Sequence, residues 1–323
     1  MRATVPALSR GGEARVTTVR PYDPVRDEAA ALDLWRECMG DRWPITPECF
    51  RLIVAGEGFA VVAAAAGHVL GLASGQVDGT RGSVTAVLVT PGHRRRGLGR
   101  ALLAGVLGEV ARRGAVEARL GGGGASFFWC GVPDDTPGAW PFFAACGWER
   151  QETAYDLVGD LGACSTPAWV WERAAAAGAE VRRAAPADLE PSLRFLQSRF
   201  PQWAAHYTAM AAAGEGNDIV VAASANGEVL GVSSILSPRS AQWRRRFPWP
   251  GRLRSRTGGV GALGVAEEQR GRGIGLALAA FVTQELRAEG LDRSYAGWTW
   301  LIDWYGHLGY RFWQAYAMSR RAL

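Results

Sequence analysis

The chain has 323 residues, of which 48% are hydrophobic, and it carries 36 basic against 31 acidic residues. Domains usually hold about 100–200 residues, so the length favours two domains, and the hydrophobic share excludes a disordered chain. Every basic residue is Arg. The lack of Lys excludes a lysine Schiff base, a pyridoxal phosphate enzyme and a Walker A phosphate loop, because each of them needs a lysine amine.

The cysteines and histidines do not form a pattern that predicts a metal site. There are four His, scattered along the chain, and no Cys-x-x-Cys pair. The N-terminus has no apolar segment of the kind found in signal peptides. We therefore expect a cytoplasmic protein with reduced thiols at its five cysteines, which are Cys38, Cys49, Cys130, Cys146 and Cys164.

The first half predicts alternating helices and strands. Residues 58–77 carry no formal charge, but their four glycines favour two strands around a turn over a membrane span. The helix that follows the next strand has apolar residues four apart, which predicts one buried stripe. A strand, a short aromatic helix and a final strand close the half. The principal elements are helices over Pro24–Glu37 and Leu98–Arg112, the hairpin over 58–77 and a strand over Val84–Val89.

The second half repeats this order. "VLGLASG" at 69–75 matches "VLGVSSI" at 229–235, "VTPGHRRRGLGRALL" at 89–103 matches "VAEEQRGRGIGLALA" at 265–279, and "FFAACGW" at 142–148 resembles "WYGHLGY" at 304–310. Similar segments in the same order indicate a duplicated domain. The second copy predicts helices over Pro186–Gln197 and Ile274–Ala288, a hairpin that turns at Asn226-Gly227, and a strand over Val260–Val265.

These boundaries predict a domain organisation. Residues 1–15 are expected to be a flexible tail. The first domain covers 16–161 and the second covers 180–323. The Ala-rich segment 162–179 is the expected linker.

Each half contains one Gly-rich turn that follows a strand and opens a helix. The two turns read Arg-Arg-Arg-Gly-Leu-Gly at 94–99 and Arg-Gly-Arg-Gly-Ile-Gly at 270–275. Glycine lets the backbone adopt positive φ and approach a phosphate closely. The first N–H groups of a helix are unpaired and carry a partial positive charge, and arginines add charged donors. Both turns are therefore candidate pyrophosphate sites.

Three other interpretations are weaker. A dinucleotide-binding turn needs a third glycine, where this chain has Leu102 and Leu278, and no acidic residue follows at the expected ribose position. A nucleic-acid surface would spread basic residues among aromatic ones instead of concentrating them in one turn. A simple structural turn would explain one copy but hardly two copies in the same context.

The turn after a strand, with Leu three residues beyond its last glycine, resembles motif A of the GNAT acyltransferases. The resemblance covers nearly the whole chain from about Val16. It implies an α/β fold of two tandem GNAT domains, each a mixed twisted sheet flanked by helices. It also implies that acetyl-CoA is the acetyl donor, with its pyrophosphate on the turn and its pantetheine arm beside the preceding strand. The implied coenzyme-binding residues are Leu263, Val265, Arg270, Gly271, Arg272, Gly273, Ile274 and Gly275 in the second half, and Val87, Val89, Arg94, Arg95, Arg96, Gly97, Leu98 and Gly99 in the first.

A second family feature is the aromatic segment "WYGHLGY". By resemblance, Tyr305 protonates the departing CoA thiolate, which is a suitable task for a phenol. The other interpretation of Tyr305 is a packing aromatic at the edge of the coenzyme. The first half has Phe143 at the matching position, and Phe cannot donate a proton. Where relatives place a pantetheine-binding Asn, this chain has Trp298 and Thr136.

We therefore expect the second half to transfer an acetyl group from acetyl-CoA to an amine by direct attack. The base is open between Asp303, His206 and a water chain. The second half contains no Cys, so no acetyl-cysteine intermediate is expected there. The acceptor is a small molecule or a peptide, with no membrane or metal involved, and the oligomeric state is open. The alternative is a non-catalytic CoA-binding or scaffold protein.

The segment 238–259 is unusually basic. It contains seven Arg and no acidic residue, together with Trp243, Phe247 and Trp249. Such a loop could recognise an anionic acceptor or the CoA phosphates, or it could be a solvated or dimer-contact hairpin. A nucleic-acid contact has no supporting motif.

Overall fold

The computed structural model describes residues 3–5, 17–56, 58–122, 129–243, 247, 249–253 and 256–323. The chain forms two compact units. The first unit comprises Met1–Ala154, Phe247–Arg252 and Tyr316–Leu323. The second unit comprises Tyr155–Arg246 and Leu253–Ala315.

Helices and strands alternate along the described chain. The helices are α1 Pro24–Met39, α2 Pro47–Phe50, α3 Leu98–Arg112, α4 Ala139–Ala144, α5 Ala168–Ala176, α6 Pro186–Arg199, α7 Pro201–Ala212, α8 Pro250–Leu253, α9 Ile274–Ala288 and α10 Ile302–Gly306. The strands are β1 Ala3–Val5, β2 Thr17–Pro21, β3 Phe59–Ala65, β4 His68–Asp78, β5 Arg81–Val89, β6 Glu117–Leu120, β7 Val132–Pro133, β8 Glu152–Asp160, β9 Glu180–Arg183, β10 Ile219–Ala223, β11 Val229–Leu236, β12 Thr257–Val265, β13 Arg293–Thr299, β14 Tyr310–Met318 and β15 Arg320–Ala322.

Each unit is built on one mixed sheet. The strand order is β1-β2-β3-β4-β5-β6-β15 in the first unit and β14-β8-β13-β12-β11-β10-β9 in the second. Neighbouring strands are mostly antiparallel, whereas β5 pairs with β6, and β12 with β13, in parallel. The predicted α/β fold is confirmed.

Helix α3 packs against the first sheet through the apolar stripe that the sequence predicts. Leu98, Leu102, Val106 and Val110 are all buried. The sheet opposite them is glycine-rich because the helix lies very close. A Cβ on Gly82 would lie 2.0 Å from a methyl carbon of Val110. Helix α9 has the corresponding place in the second unit, where Ile274, Leu278, Val282 and Leu286 are buried.

The duplication also extends to an ion pair at the start of each half. Arg20 on β2 donates to the buried carboxylate of Asp27 in α1, at 2.6 and 2.8 Å. Arg182 on β9 pairs in the same way with Asp188 in α6. Each carboxylate also accepts a backbone N–H at the start of its helix, from Asp23 and from Ala185 respectively. The pair therefore ties β2 to α1 in the first half and β9 to α6 in the second.

Two strands join sheets that their sequence positions do not suggest. The sequence analysis took β8 as the strand that closes the first half. In the structure, its residues 155–160 pair with β13 in the second unit. The last strand of the chain, β15, pairs with β6 in the first unit. Because the two copies are similar in sequence, a sequence pattern does not show which sheet each closing strand joins. The domain boundaries at 161 and 180 stay a prediction.

Two segments that were expected to be irregular contain regular structure. Within the expected tail 1–15, Ala3–Val5 form β1, which pairs with β2, and the other residues lie outside the described part of the chain. Within the expected linker 162–179, Ala168–Ala176 form helix α5. Among the described residues, no helix combines the length and hydropathy that a bilayer-crossing segment needs.

Candidate acyl-CoA site

The Gly-rich turn of the second half connects β12 to α9. Gly271 and Gly273 have φ of 75° and 90°, in the left-handed region that costs other residues free energy. Gly273 is the N-cap of α9, and no side chain caps the helix. The first N–H groups of α9 thus have no capping partner from a side chain and can bind an oxyanion.

The first half repeats this geometry with one difference. Gly97 has φ of 85°, like Gly273, but the position that matches Gly271 is Arg95, with φ of 59°. In both turns the leading arginine holds the end of the preceding strand. Arg94 donates from Nε to the carbonyl of Val89 at 2.9 Å, and Arg270 donates to the carbonyl of Val265 at 3.3 Å.

Several predicted site residues of the second half lie around the start of α9. A Cβ on Gly275 would lie 3.3 Å from the Trp304 ring, 3.4 Å from Val265 and 3.6 Å from Leu263. The turn therefore meets the end of β12 and the helix that carries Tyr305. In the first half, a Cβ on Gly99 would likewise lie 3.0 Å from the Phe142 ring.

The strand that leads into each turn pairs with its parallel neighbour only over its first residues. In the second unit the pairing joins Thr257–Gly259 to Arg293–Tyr295, whereas β12 continues to Val265. In the first unit Arg81–Val84 pair with β6, and β5 continues to Val89. Within the described residues, the ends of β12 and β5 that lead into the turns therefore have no ladder with the next strand on this side.

Tyr305 lies in α10 with only 8% of its surface exposed. Its ring centroid lies 4.8 Å from that of Trp304 and 5.4 Å from that of Tyr310. In the described part of the chain, its hydroxyl group has no hydrogen-bond partner. Burial raises the pKa of Tyr305 well above the ordinary value, so the phenol is protonated at neutral pH. Phe143 in the first half is half-buried and has no hydroxyl.

Strand β12 is irregular where its ladder with β13 has ended. Its register against β11 shifts between Gly264 and Gly261, and Ala262 has φ of 39°. Two side chains hold this irregular segment: the hydroxyl of Tyr207 donates to the carbonyl of Ala262 at 2.8 Å, and that of Ser233 donates to the carbonyl of Gly261 at 3.2 Å. The sequence analysis missed both. The glycine density of "GGVGALGV" was the available signal of an irregular strand.

The two candidate bases have different surroundings. His206 is buried in α7, and its Nε2 lies 3.2 Å from the hydroxyl of Ser234, which pairs with Gly261. Asp303 is exposed at the start of α10. The structure thus puts His206, and not Asp303, in the interior next to the irregular part of β12.

Trp298 occupies the position where the family resemblance implies an Asn. It has φ of 52°, and its backbone N–H donates to the carboxylate of Asp156 at 2.9 Å. Asp156 belongs to β8 and is 1% exposed. The sequence analysis missed this residue because β8 comes from the first half of the chain.

Cys164 adds a cysteine to the second unit. The sequence after residue 164 has none, as the sequence analysis states, but the unit begins at Tyr155 and includes Cys164, whose sulfur would lie 3.5 Å from a Cβ on Gly309. Burial, together with the charge of Asp160, raises the pKa of its thiol to about 11. The thiol is therefore protonated at neutral pH and a poor nucleophile. Among the described residues, no group of three or more His, Cys, Asp or Glu side chains could hold a metal ion.

Helix α5 lies against the turn of the second half. Arg173 donates from Nη2 to the carbonyl of Gly271 at 2.9 Å. Arg272 donates to the carbonyl of Ala177, which follows α5, at 3.3 Å. The sequence analysis treated this segment as a linker, and its Ala-rich composition gave no sign of a contact with the turn.

The basic segment 238–259 contributes buried aromatic residues. Trp243, Phe247 and Trp249 are at most 5% exposed. In the first unit, Trp249 stacks on Trp129 with ring centroids 5.3 Å apart. Three arginines of the segment form ion pairs with carboxylates, which are Arg239 with Glu289, Arg252 with Asp135 and Arg256 with Asp292. Arg244, Arg245, Arg246 and Arg254 lie outside the described residues.

Comparison with solved structures finds relatives over almost the whole chain. A region described as a GCN5-related glucosamine N-acetyltransferase, in a fungal multi-domain GH3 beta-N-acetylglucosaminidase, is 26% identical with a TM-score of 0.88. The match covers 97% of this chain and only 39% of that chain. No protein of curated function matches the sequence.

Two further structures are more distant and show the fold alone. A GCN5-related N-acetyltransferase from Sphaerobacter thermophilus is 18% identical with a TM-score of 0.69, and the match covers 94% of this chain and 95% of that one. A tandem GNAT protein from the clavulanic acid biosynthesis pathway is 19% identical with a TM-score of 0.60, and the match covers 94% and 98%. The acetyltransferase (GNAT) family matches twice along the chain, over residues 26–148 and 184–310. The protein therefore belongs to the GNAT acetyltransferase family and carries two GNAT domains in one chain.

Proposed function

We propose that the protein transfers an acetyl group from acetyl-CoA to an amine and that the second half carries out the reaction. One observation carries this assignment. The second half has a buried, protonated phenol at Tyr305 next to an aromatic that contacts the Gly-rich turn, whereas the first half has Phe143. The family membership supports acyl transfer in general.

In this proposal the coenzyme binds along the end of β12 and the turn. The residues that hold it in the second half are Leu263, Val265 and Arg270–Gly275. The thioester of acetyl-CoA supplies an activated acetyl group. Uncapped N–H groups at the start of α9 bind the pyrophosphate, and Arg270 and Arg272 add positive charge. Val87, Val89 and Arg94–Gly99 are the matching set in the first half, which binds CoA without catalysing transfer.

In the proposed reaction, one bond forms at the acetyl carbon, one bond breaks, and two protons move. The amine forms a bond to the acetyl carbon while the carbon–sulfur bond breaks, and the sulfur takes a proton from Tyr305. Tyr305 regains a proton from solvent, and the amine gives up its own proton to a base or to water. Direct attack within a ternary complex fits the protonated state of Cys164, since the thiol is not poised to accept the acetyl group.

For the acceptor, an amino sugar is the class to test first. The fungal region described as a glucosamine N-acetyltransferase is the support for this choice, because it is 26% identical over nearly the whole of this chain. Fold alone does not fix the acceptor in such families. Peptide amines are therefore the second class in the test. All five cysteines are free thiols in the structure, and this supports a reducing, cytoplasmic setting for the reaction.

The test is thiol release from acetyl-CoA in the presence of glucosamine or a peptide amine. We expect turnover with the wild-type chain and a loss of roughly 10²- to 10⁴-fold in kcat for Tyr305→Phe, with the KM for acetyl-CoA unchanged. Tyr155→Phe, which removes a hydroxyl from a half-buried ring elsewhere in the second unit, is the matched control. CoA binding without turnover on any amine would favour the alternative, a non-catalytic CoA-binding or scaffold protein.

A further inference from the structure

Helix α5 is fixed firmly enough to be part of a binding site. Val170 and Ala174 are buried in the core of the second unit, with exposed fractions of 0% and 2%. At its start, the ring of Trp169 lies 5.3 Å from that of His307, which follows Tyr305 by two residues. At its end, Arg173 reaches the Gly-rich turn. The helix therefore runs from the neighbourhood of α10 to the candidate phosphate site.

The contact between α5 and the turn is close. A Cβ on Gly273 would lie 2.7 Å from the Cβ of Arg173. The first-half turn has no such neighbour among the described residues, because a Cβ on Gly97 would meet nothing within 4 Å. The two turns thus share a backbone geometry and differ in what lies against them.

The arginines at the second-half turn keep their charge available. In the described part of the chain, the side chains of these arginines donate only to neutral acceptors. Arg173 and Arg270 each donate to one backbone carbonyl, and Arg272 donates to the side chain of Gln269 and to one backbone carbonyl. The nearby carboxylate of Glu268 pairs with Arg199 at 2.7 Å. Among the described residues, three guanidinium groups that form no ion pair with a carboxylate therefore lie beside the start of α9, although the charge of Arg270 also acts on Glu268.

We propose that Arg173 binds a phosphate group of CoA, so that helix α5 forms one wall of the coenzyme site in the second half. The inference rests on the proposed function, in which this turn binds acetyl-CoA. The bond to Gly271 occupies one of five guanidinium donors and leaves the others for phosphate oxygens. The second-half site then binds CoA more tightly than the first-half site, which has no counterpart of Arg173 among the residues that the structure describes.

The experiment is a calorimetric titration of CoA into the full-length protein, with Arg96→Glu in every variant to remove the first-half site. Arg173→Gln is expected to weaken binding about 10-fold or more, since a hydrogen bond to a charged group is lost. Arg194→Gln is the matched control, because it removes the same charge from an exposed residue that pairs with Glu190 in α6. Arg173→Lys should fall between, since it keeps the charge without the planar fork.

Two further measurements separate a phosphate contact from a purely structural role. The salt dependence of CoA affinity should be weaker in Arg173→Gln than in Arg194→Gln, because one charge–phosphate contact is missing. Repeating the titration with 3′-dephospho-CoA locates the contact. An equal loss on both ligands assigns Arg173 to the pyrophosphate, and a loss on CoA alone assigns it to the 3′-phosphate.

The inference would be overturned if Arg173→Gln bound CoA with an affinity within twofold of the control. It would also be overturned if this variant bound CoA more tightly than the control, since α5 would then block access to the turn. A thermal unfolding midpoint shared by both variants shows that the comparison is between folded proteins. Failure of the proposed function looks different. In that case the chain without substitution at Arg173 either does not bind CoA at all or binds it without turnover on any amine.

Discussion

Gly273 and Arg173 lie so close that a Cβ on the glycine would be 2.7 Å from the Cβ of the arginine. The corresponding Gly97 has the same left-handed backbone but open space around it. Substitutions at Gly97 and Gly273 therefore distinguish the free-energy cost of a positive φ, which both share, from the cost of a steric clash, which only Gly273 has.

Gly97→Ala and Gly273→Ala are expected to destabilise the protein unequally. Both place a Cβ in the left-handed region, at a cost of about 1–2 kcal/mol. Gly273→Ala must also displace α5, so its loss of unfolding free energy should be clearly larger. Urea unfolding of the two variants measures the difference. Gly138→Ala, at φ of 83° and also in open space, is the control for the backbone cost alone. Equal losses at all three positions would show that α5 does not press on the turn.

The burial of Tyr305 predicts how kcat depends on pH above neutrality. Because burial raises the pKa of Tyr305, the acid form persists above the ordinary tyrosine pKa of about 10. We therefore expect kcat to show no decline from deprotonation of this phenol between about pH 8 and 10. A pH series of steady-state rates at saturating acetyl-CoA measures this. A fall in kcat near pH 9 that disappears in Tyr305→Phe would mean that the phenol is more exposed to water than the structure indicates.

The ion pair of Asp188 predicts how the free energy of unfolding changes at acidic pH. The hydrogen bond from Arg182 holds the pKa of Asp188 below the ordinary value, and the N–H of Ala185 adds to this effect against the opposing effect of burial. A lowered folded-state pKa stabilises the fold above the unfolded-state pKa of about 4, and this contribution is lost as the pH falls through the folded-state pKa.

Asp188→Asn should therefore reduce the free energy of unfolding at pH 7 by about 1 kcal/mol or more, and by progressively less below about pH 4. Urea unfolding from pH 3 to pH 7 follows the difference. Glu190→Gln, an exposed substitution on the same helix, should show almost no loss at either end. A constant difference between wild type and Asp188→Asn across the series would contradict the ion-pair explanation.

The position of β8 makes a prediction about fragments. Residues 155–160 pair with β13, and α5 lies in the segment between that strand and residue 180. A fragment that starts at residue 180 lacks both, whereas one that starts at 155 keeps them. We expect the longer fragment to be more soluble and to bind CoA more tightly than the shorter one. Equal behaviour would support the domain boundary that the sequence predicts.

The sequence predicted the parts of the fold that local pattern determines. The stripe of Leu98, Leu102 and Val106 located α3, and the same pattern located α9 with its observed bounds. The internal repeat indicated two copies of one domain, and the Gly-rich turns indicated their shared chemistry. Each of these signals lies within a short segment, so a single sequence contains it.

What the sequence did not predict depends on contacts between distant segments. Asp156 supports Trp298 from 142 residues away, and Arg173 reaches Gly271 from 98 residues away. Trp249 stacks on Trp129 although the sequence placed it in a solvated or ligand-binding loop. Periodicity and turn signals carry no information about such pairings.

The last strand of the chain has a consequence for synthesis. Because Arg320–Ala322 pair with β6, the first sheet receives this strand only after the residues of the second unit have been synthesised. Until then β6 is an open edge whose backbone groups could pair with another strand. The first sheet, whose other strands are synthesised early, is thus completed after the second, and a chain truncated before Arg320 lacks a strand of its first sheet.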